Sequence, residues 1–491
     1  MESSGKNLII VGAGISGLVC GVYAQRSGWN TIILEKALNP GGVSTSWGRK
    51  GYTFEGGIHW LIGAKEGVPL HDIWTESGAL QANNPITFRD PVYTIIDGDR
   101  KAELHRDLKT LSKIDRRDRF ALALLRFHVW CFTFFHSPVQ DIAGVKARHP
   151  RKFSLMEFLK MGPAVILTPW LMAFSAGTYA RRFRDPLVRN LIETVVDPKI
   201  NALSLIYTLS SFTSGDSGYP KGGSLVMAQN MADTFTSLGG EIRYRSTVHE
   251  VVREGEHYVG VRTSEGLLRA DAVVISADAR TAIDKLFAEP LQDGWARRMR
   301  RKMETAQCMF VAIGVKTDLS SRPRCARLML REPLHAGGLV FDAVTVNNYS
   351  GYEGYAPEGC TPVTAILPGA CYDYWKAAKQ NGSYYDLKKE VIAAFVRVVE
   401  EFYPEVAGKV EVTDMATPMT YQRYCDTFEG SYMSDWRPWR FASTAPIRYK
   451  PGLYFTGQRT AFSGGLPVAA ETGRRTAQHL CKDYDFEFVS H

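Results

Sequence analysis

The chain has 491 residues, of which 45% are hydrophobic and 22% are charged, and its formal net charge is +8. This length predicts two or three domains with ample core, and a core of that size does not need disulfides. The eight cysteines include no C-x-x-C pair, which argues against a redox dithiol or a zinc site, so no metal is expected. The scattered cysteines and the polar first residues predict a protein of the reducing cytoplasm without a signal peptide.

Basic residues gather in three short clusters, at 146–152, 181–184 and 297–302. Solvated helix faces are one interpretation of these clusters. The alternative is attraction to an anionic membrane surface, or to an acidic carrier or redox partner. No recognised nucleic-acid module accompanies the charge, so the sequence argues against a nucleic-acid partner.

The first element is a short apolar run from Leu8 that leads into glycines at G-x-G-x-x-G spacing. A helix is predicted over Leu18–Ser27, and a second strand over Thr31–Leu34 ends at Glu35. Strand, glycines, helix, strand and acid therefore occur in the order of a βαβ nucleotide-binding unit.

Each part of this unit has a physical role. Gly12 permits the tight turn, Gly14 leaves room for a pyrophosphate, and Gly17 lets the helix pack close to the strand. The helix N-terminus offers N–H groups to the phosphates, and Glu35 can accept a hydrogen bond from a ribose hydroxyl. The predicted cofactor contacts here are Gly12, Ala13, Gly14, Ile15, Ser16, Gly17, Glu35 and Lys36.

The sequence Asn39-Pro40-Gly41-Gly42 follows the acidic strand directly. An NAD-dependent dehydrogenase does not need a Gly-Gly turn there. Flavoproteins of the glutathione-reductase-like class close a second loop over the pyrophosphate at this point. We therefore predict FAD rather than NAD, with further contacts from Gly41, Gly42, Val43 and Ser44.

Residues 48–63 begin as an alternating strand and continue through Gly56 and Gly57 to His59. In a flavoprotein this segment would pass beside the isoalloxazine ring, so His59 is the first candidate for a catalytic proton donor or acceptor. The alternative is a histidine that is hydrogen-bonded to backbone in a packed turn. The predicted cofactor contacts are Gly57, Ile58 and His59.

Residues 66–214 change to apolar helices. Ala121–Pro138 is apolar on most faces, and Gly162–Ala180 carries no charge. We expect Gly162-Pro163 and Thr168-Pro169 to break the second stretch. These helices are predicted to line an apolar substrate cavity, with part of the surface at a membrane interface rather than across it.

Short strands after the helix Leu225–Leu238 return the chain to the nucleotide domain. Val248, which is expected near the adenine, and Ala277, which follows a strand of the main sheet, are further predicted cofactor contacts. Beyond residue 290, strands at Met309–Lys316 and Val363–Leu367 and the amphipathic helix Tyr384–Phe402 are predicted. The stretch 418–430 lacks clean periodicity, and it supplies two weaker catalytic candidates, Tyr421 and Tyr424.

The chain ends with a strand that runs into Gly457, a Gly-Gly-Leu-Pro turn and a helix over Val468–Leu480. A second strand, glycine turn and helix N-terminus of this kind can hold the same extended FAD. The predicted contacts are Gly457, Gly465, Leu466 and Pro467.

Six segments carry a family resemblance, and they lie in the same order as in the family. They are residues 11–17, 34–36, 40–42, 51–55, 219–223 and 452–473. On these motifs the chain resembles the phytoene desaturase, carotenoid isomerase and retinol saturase group of FAD-dependent oxidoreductases. One departure is Val43, which stands where many members have an arginine that meets phosphate, so another donor such as a serine hydroxyl must replace it.

The resemblance implies an α/β fold in which a mixed α+β substrate domain is inserted into a discontinuous, glutathione-reductase-like Rossmann FAD domain. The FAD domain is predicted at residues 1–65, 215–288 and 445–491, and the substrate domain at 66–214 and 289–444. The resemblance also implies hydride exchange between the flavin and an elongated apolar, polyene-type substrate, in desaturation, saturation or isomerisation.

Two alternatives stay open at the level of sequence. The first is an oxidase of an amine, or a natural-product tailoring oxidase or cyclase whose substrate is held on an acidic carrier. The second is a non-catalytic FAD-bearing interaction protein. An uncharged aliphatic cavity would favour the polyene enzyme, whereas an aromatic cage with a fixed acid would favour the amine oxidase.

Overall fold

The computed structural model describes residues 5–108, 116–133, 139–151, 155–434, 438, 444–461 and 464–491. The end of the predicted stretch 121–138 and the last residue of the basic cluster 146–152 lie outside these ranges. Within them the strands are β1 (Asn7–Val11), β2 (Asn30–Leu34), β3 (Ser46–Arg49), β4 (Tyr52–Glu55), β5 (Leu61–Ile62), β6 (Ile86–Thr87), β7 (Tyr93–Asp97), β8 (Arg100–Leu104), β9 (Ser217–Pro220), β10 (Glu241–Arg243), β11 (Val248–Glu254), β12 (His257–Thr263), β13 (Gly266–Arg269), β14 (Ala272–Ile275), β15 (Thr305–Ala306), β16 (Cys308–Val315), β17 (Cys325–Ala336), β18 (Leu339–Asn348), β19 (Thr361–Pro368), β20 (Val410–Ala416), β21 (Met433–Ser434), β22 (Arg448–Lys450) and β23 (Leu453–Phe455).

The α-helices of the described residues lie between these strands along the chain, in places several in succession. They are α1 (Ile15–Arg26), α2 (Pro69–Glu76), α3 (Arg119–Phe132), α4 (Leu155–Met172), α5 (Ala176–Ala180), α6 (Pro186–Glu193), α7 (Ala202–Ser214), α8 (Gly223–Ser237), α9 (Ala279–Lys285), α10 (Gly294–Lys302), α11 (Tyr372–Gln380), α12 (Tyr384–Phe402), α13 (Pro418–Cys425) and α14 (Leu466–Tyr484).

The first sheet has the strand order β10-β2-β1-β14-β23-β22 and is parallel except for β22. Both faces of β1 are covered, so its residues are apolar without interruption. Leu8 and Ile10 pack toward the core formed with α1, α8 and α14, whereas Ile9 and Val11 pack toward β11, β12 and α9. The carboxyl ends of β1, β2, β14 and β23 therefore meet at one edge.

The second sheet has seven strands in the order β20-β16-β19-β18-β17-β7-β8. Helix α12 packs on one face through Phe395 and Val399, and β3 and β4 bring Tyr52 and Phe54 to Phe310 on another part of the sheet. The long hairpin of β17 and β18 was not predicted, because charged residues interrupt its apolar pattern. Helix α13 was also not predicted; Thr417 caps it by a reciprocal hydrogen-bond pair with Thr420.

Helices α3 to α7 form a separate apolar cluster that includes Leu125, Leu191, Leu205 and Leu209. The prediction that Pro163 and Pro169 break the second apolar stretch is wrong, because α4 runs through both prolines. Each proline leaves one carbonyl without its helical donor, four residues earlier, at Leu159 and Val165. Both of these residues lie on the exposed side of α4, where water can supply the missing donor.

A small sheet connects the two regions. Strand β9 pairs with β5 through Leu61 and Gly218 and with β6 through Ile86 and Pro220. The segment after β4 and the segment before α8 are thereby held side by side. The first sheet draws its strands from residues 7–34, 241–275 and 448–455, and the second draws them from 93–104 and 308–416. The domain boundaries themselves stay a prediction.

Candidate functional site

A glycine turn lies at the carboxyl end of β1. Gly12 has φ +104°, which permits the turn. A Cβ atom on Gly17 would stand 2.2 Å from the Gly12 carbonyl oxygen, so only glycine lets α1 approach β1 this closely. Gly14, which precedes α1, is different, since the nearest heavy atom to an added Cβ is the Ser276 hydroxyl at 4.0 Å. The space above Gly14 is therefore not filled by the described protein.

The acidic residue after β2 faces this turn. The Glu35 carboxylate accepts hydrogen bonds from the backbone N–H groups of Ala13 at 2.7 Å and Ala37 at 2.8 Å. Burial raises the pKa of Glu35, and these hydrogen bonds oppose the rise. Lys36 forms an ion pair at 2.5 Å with Asp426, at the end of α13.

The second predicted loop closes onto the first. Gly41 donates its N–H to the Ala13 carbonyl at 2.9 Å, and a Cβ on Gly42 would come 3.5 Å from the Gly14 Cα atom. Val43 follows this turn. The Ser44 hydroxyl is buried, and it has no hydrogen-bond partner among the described atoms.

The chain's last segments meet the same edge of the first sheet. Ala277 lies against Gly12, and a Cβ on Gly457 would come 3.1 Å from the Ser16 hydroxyl. Gly465 precedes α14, which begins Leu466-Pro467. Val248 begins β11, and its neighbour Ser246 donates to the Glu35 carbonyl at 2.9 Å. The buried Thr456 hydroxyl also has no partner in the part of the chain that is described.

These residues fit a bound dinucleotide. The open space at Gly14 lies where a pyrophosphate would meet the N-terminus of α1. The unpartnered hydroxyls of Ser44 and Thr456 are buried polar groups that require a donor or acceptor. Ser44 is thus a candidate for the donor that replaces the arginine missing at Val43.

Glu55 is a buried acid at the site whose contacts the sequence did not reveal. It is fully buried at the end of β4, and burial raises its pKa although the hydrogen bonds it accepts oppose the rise. It joins the loop after β4 to the start of α8. The donors to its carboxylate are the N–H groups of Gly57 (2.7 Å), Ile58 (3.0 Å) and Ser224 (2.9 Å) and the hydroxyls of Ser224 (2.5 Å), Tyr219 (3.2 Å) and Tyr355 (3.5 Å).

Gly57 is close-packed against the protein itself. A Cβ there would lie 2.4 Å from the Ser224 hydroxyl and 2.9 Å from the Ser44 Cα atom. The need for glycine at this position is therefore explained by packing between the two loops and α8.

His59 follows this loop. Its Nε2 atom is buried and lacks a hydrogen-bond partner among the described residues. Burial, and then the charge of Arg89, lower the pKa of His59 to about 4, so the imidazole is neutral at pH 7. The next residue, Trp60, packs edge-on against Phe212 with ring centroids 5.4 Å apart. Phe212 belongs to the cluster of α3 to α7, so the loop leads from the nucleotide site to the apolar helices.

The two tyrosine candidates lie on α13. Tyr421 packs with Trp47 and Phe310, and burial, followed by the neighbouring Cys308 thiol, raises its pKa well above the usual value. Its assignment as a catalytic residue stays a prediction. Tyr424 is 55% exposed, with Arg423 over its ring, which argues against it as an interior proton donor.

Arg89 is a second residue that the sequence did not reveal. Its guanidinium lies 5.3–5.7 Å from the ring centroids of Tyr219, Tyr349 and Tyr352. Nε donates to the Tyr352 hydroxyl at 2.8 Å, and Nη1 donates to Asn347 Oδ1 at 3.3 Å. The buried Nη2 atom has no partner among the described residues.

Together, the parallel sheet, its glycine turns and the attached second sheet define a Rossmann-type nucleotide-binding oxidoreductase with a separate substrate region. Residues 15–481 match the flavin containing amine oxidoreductases, and the chain belongs to this family. It is therefore a flavoprotein oxidoreductase. The predicted enzyme class and the flavin are confirmed.

The relatives in sequence act on polyenes. The chain is 24% identical to the chloroplastic prolycopene isomerase of Daucus carota, over 98% of this chain and 80% of that protein. It is 22% identical to the lycopene-forming phytoene desaturase of Pseudescherichia vulneris, over 97% of this chain and 99% of that protein. It is 24% identical to the all-trans-retinol 13,14-reductase of Danio rerio, over 95% and 85%. The predicted family resemblance is confirmed.

Solved structures show the same fold. An oxidoreductase from Methanosarcina mazei superposes with a TM-score of 0.62 at 16% identity, over 95% of this chain and 98% of its own. The structure of putrescine oxidase bound to putrescine superposes with a TM-score of 0.62 at 14% identity, over 97% of this chain and 98% of its own. The predicted fold class, a Rossmann-like FAD domain with a substrate domain, is confirmed.

Proposed function

We propose that the protein is an FAD-dependent oxidoreductase that exchanges hydride with an elongated apolar, polyene-type substrate. The observation that carries this proposal is the path from His59 through Trp60 and Phe212 into the apolar helices. This path begins at the loop that Glu55 holds against the nucleotide site, and it continues through aromatic contacts to Tyr93. An elongated apolar molecule bound against the partly uncovered side chain of Trp60 would adjoin this apolar cluster.

The charge beside His59 argues against an amine. An aromatic cage is present, but it encloses the guanidinium of Arg89, and the Glu55 carboxylate next to it is occupied by donors of the protein itself. A protonated amine at this point would meet a fixed positive charge in a medium of low dielectric constant. The relatives whose names state a polyene substrate also support a polyene over an amine.

FAD, when bound, supplies the hydride chemistry, and the protein binds and orients it. The turns at Gly14 and Gly42 would hold the pyrophosphate, and Glu35 would hold the ribose. Neutral His59 can take up or supply a proton at Nε2, because that atom is otherwise unpartnered. The eight cysteines are free thiols, in keeping with the predicted cytoplasmic location.

An anaerobic absorbance titration of the holoenzyme with an apolar polyene tests this function. Bleaching of the oxidised flavin by the polyene would identify a desaturase. Reoxidation of dithionite-reduced flavin by the polyene would identify a saturase, and isomerisation that needs reduced flavin without net reoxidation would identify an isomerase. If a primary amine bleaches the flavin and no polyene has any effect, the proposal is wrong.

We further propose that α3 and α4 dock on an anionic lipid surface. Ten large apolar side chains on these packed helices are between 41% and 80% exposed, and a patch of this kind marks an interaction site. They are Phe120, Phe127, Trp130, Leu155, Met156, Phe158, Leu159, Val165, Ile166 and Trp170. Exposed Arg116, Arg117, Arg119 and Lys160 border them, which favours negatively charged headgroups. No helix in the described ranges is long and apolar enough to span a bilayer.

Flotation with vesicles measures this docking. The protein should float with phosphatidylglycerol-containing vesicles and much less with pure phosphatidylcholine. The double substitution Phe120→Ser and Ile166→Ser should reduce flotation at least about tenfold, since burying each side chain contributes ~2 kcal/mol. Val340→Ser, at an exposed apolar position on β18, should have no effect. A dimer that the double substitution dissociates, without vesicle binding, would instead identify a second copy as the occupant.

A further inference from the structure

Arg89 carries a buried charge that no carboxylate neutralises within the described structure. Its neighbours are tyrosine rings, the Tyr352 hydroxyl and the Asn347 amide oxygen. Glu55 does not serve as its counter-ion, because the Glu55 carboxylate is occupied by other donors and meets the Tyr219 hydroxyl instead. A guanidinium remains protonated in proteins, so the positive charge is permanent.

Such a charge is costly to bury without an anion. Cation–π contacts and two hydrogen bonds to neutral groups compensate only part of the lost hydration. The arrangement is understandable if the missing anion is a ligand. One of the other arginines held against a tyrosine ring, Arg322 over Tyr403, is by contrast paired with Glu405 at 2.5–2.6 Å.

Two unpartnered polar atoms face this region. Arg89 Nη2 and His59 Nε2 are both buried without a partner among the described residues, and the charge of Arg89 acts on His59. Protein encloses both side chains, yet each keeps part of its surface uncovered, as does Trp60. A ligand that reaches these residues would therefore meet a polar group at Arg89 and an apolar surface at Trp60.

We propose that Arg89 binds the carboxylate of an elongated apolar acid through its unpartnered Nη2 side. This inference rests on the proposed function and narrows its substrate class from hydrocarbons to long-chain unsaturated acids. A carboxylate matches the single charge and the planar fork of the guanidinium, of which the Nη2 side is open. Held there, the acid would place its chain against His59 and Trp60, and the distance from the carboxylate would determine which carbons come next to the flavin.

The experiment compares all-trans-retinoic acid with its methyl ester on the holoenzyme. Dissociation constants come from quenching of tryptophan fluorescence and from the shift of the flavin spectrum. The wild-type protein should bind the acid at least about tenfold more tightly than the ester. Arg89→Met should bring this ratio close to one while the ester's affinity stays the same. Arg89→Lys, which keeps the charge but not the fork, should retain part of the preference.

The matched control is Arg322→Met, which also removes an arginine from a tyrosine ring but should leave the ratio unchanged. Equal affinities for acid and ester in the wild type, or an unchanged ratio in both Arg89 variants, would overturn the inference. A failure of the carboxylate-site inference can be distinguished from a failure of the proposed function. If the ester exchanges electrons with the flavin but the acid has no advantage, only the acid site is wrong. If the acid binds through Arg89 but no polyene reacts, only the polyene chemistry is wrong.

Discussion

Replacing Gly14 by alanine should remove the flavin from the protein without unfolding it. An added methyl group would enter the space above the start of α1, where the nearest described atom is 4.0 Å away, so the apoprotein has room for it. The backbone at Gly14 (φ −67°, ψ 168°) is also one that alanine adopts readily. The same methyl group would displace the pyrophosphate from the helix N-terminus. We expect flavin affinity to fall at least about 100-fold, ~2.7 kcal/mol.

The control for this prediction is Gly17→Ala, three residues further along α1. Its methyl group would collide with the Gly12 carbonyl oxygen and with Ser276, so it should destabilise apoprotein and holoprotein alike, by about 2–4 kcal/mol. Flavin content after purification and the melting temperature of the apoprotein separate the two effects. Retention of stoichiometric flavin by the Gly14 variant would mean that the pyrophosphate does not lie at α1.

Replacing Glu55 by alanine should cost about 3–5 kcal/mol of folding free energy. The change leaves the N–H groups of Gly57, Ile58 and Ser224 buried without an acceptor, and such groups are expensive to leave unpaired. The loop that carries His59 would also lose its attachment to α8. Urea denaturation measures the first effect, and flavin content measures the second.

Two further variants test whether the hydrogen bonds to the Glu55 carboxylate stabilise the protein. Glu55→Gln keeps the shape but turns an amide N–H₂ group toward donors, so it should also destabilise the protein, although less than alanine does. Glu250→Ala, which removes a surface carboxylate that pairs with Arg262, should leave the urea midpoint unchanged. If Glu55→Ala unfolds at the same urea concentration as the wild type, the network does not hold this loop.

The nucleotide half of the fold could be predicted because its signals are local. The run from Leu8 to Glu35 contains strand, turn, helix and acid within thirty residues, and the structure contains each of these elements in that order. The pair Gly41-Gly42 predicts the second loop over the nucleotide site in the same way. These features follow from backbone conformation and spacing, which a short stretch of sequence carries by itself.

The centre of the site could not be predicted because its contacts are long-range. Ser224 reaches Glu55 from 169 positions along the chain, and Tyr352 reaches Arg89 from 263. Arg89 lies in no pattern that distinguishes it from a surface residue, and the motif that contains Glu55 does not reveal which groups its carboxylate contacts. The prediction for the prolines of α4 was wrong for a related reason. The free-energy cost of a proline within a helix depends on whether the carbonyl it leaves unpaired can meet water, and only the fold determines that.

The pairing of the two chain ends also constrains when the cofactor can bind. Strand β14 lies between β1 and β23, and Gly473 of α14 packs against the Ser16 carbonyl, where a Cβ would come within 2.6 Å. The last wall of the nucleotide site therefore becomes available only after α14 has been synthesised, tens of seconds after β1 emerges at ~5–20 residues per second. Until then the sheet around β1 is incomplete, so flavin loading is a step that follows the synthesis of α14.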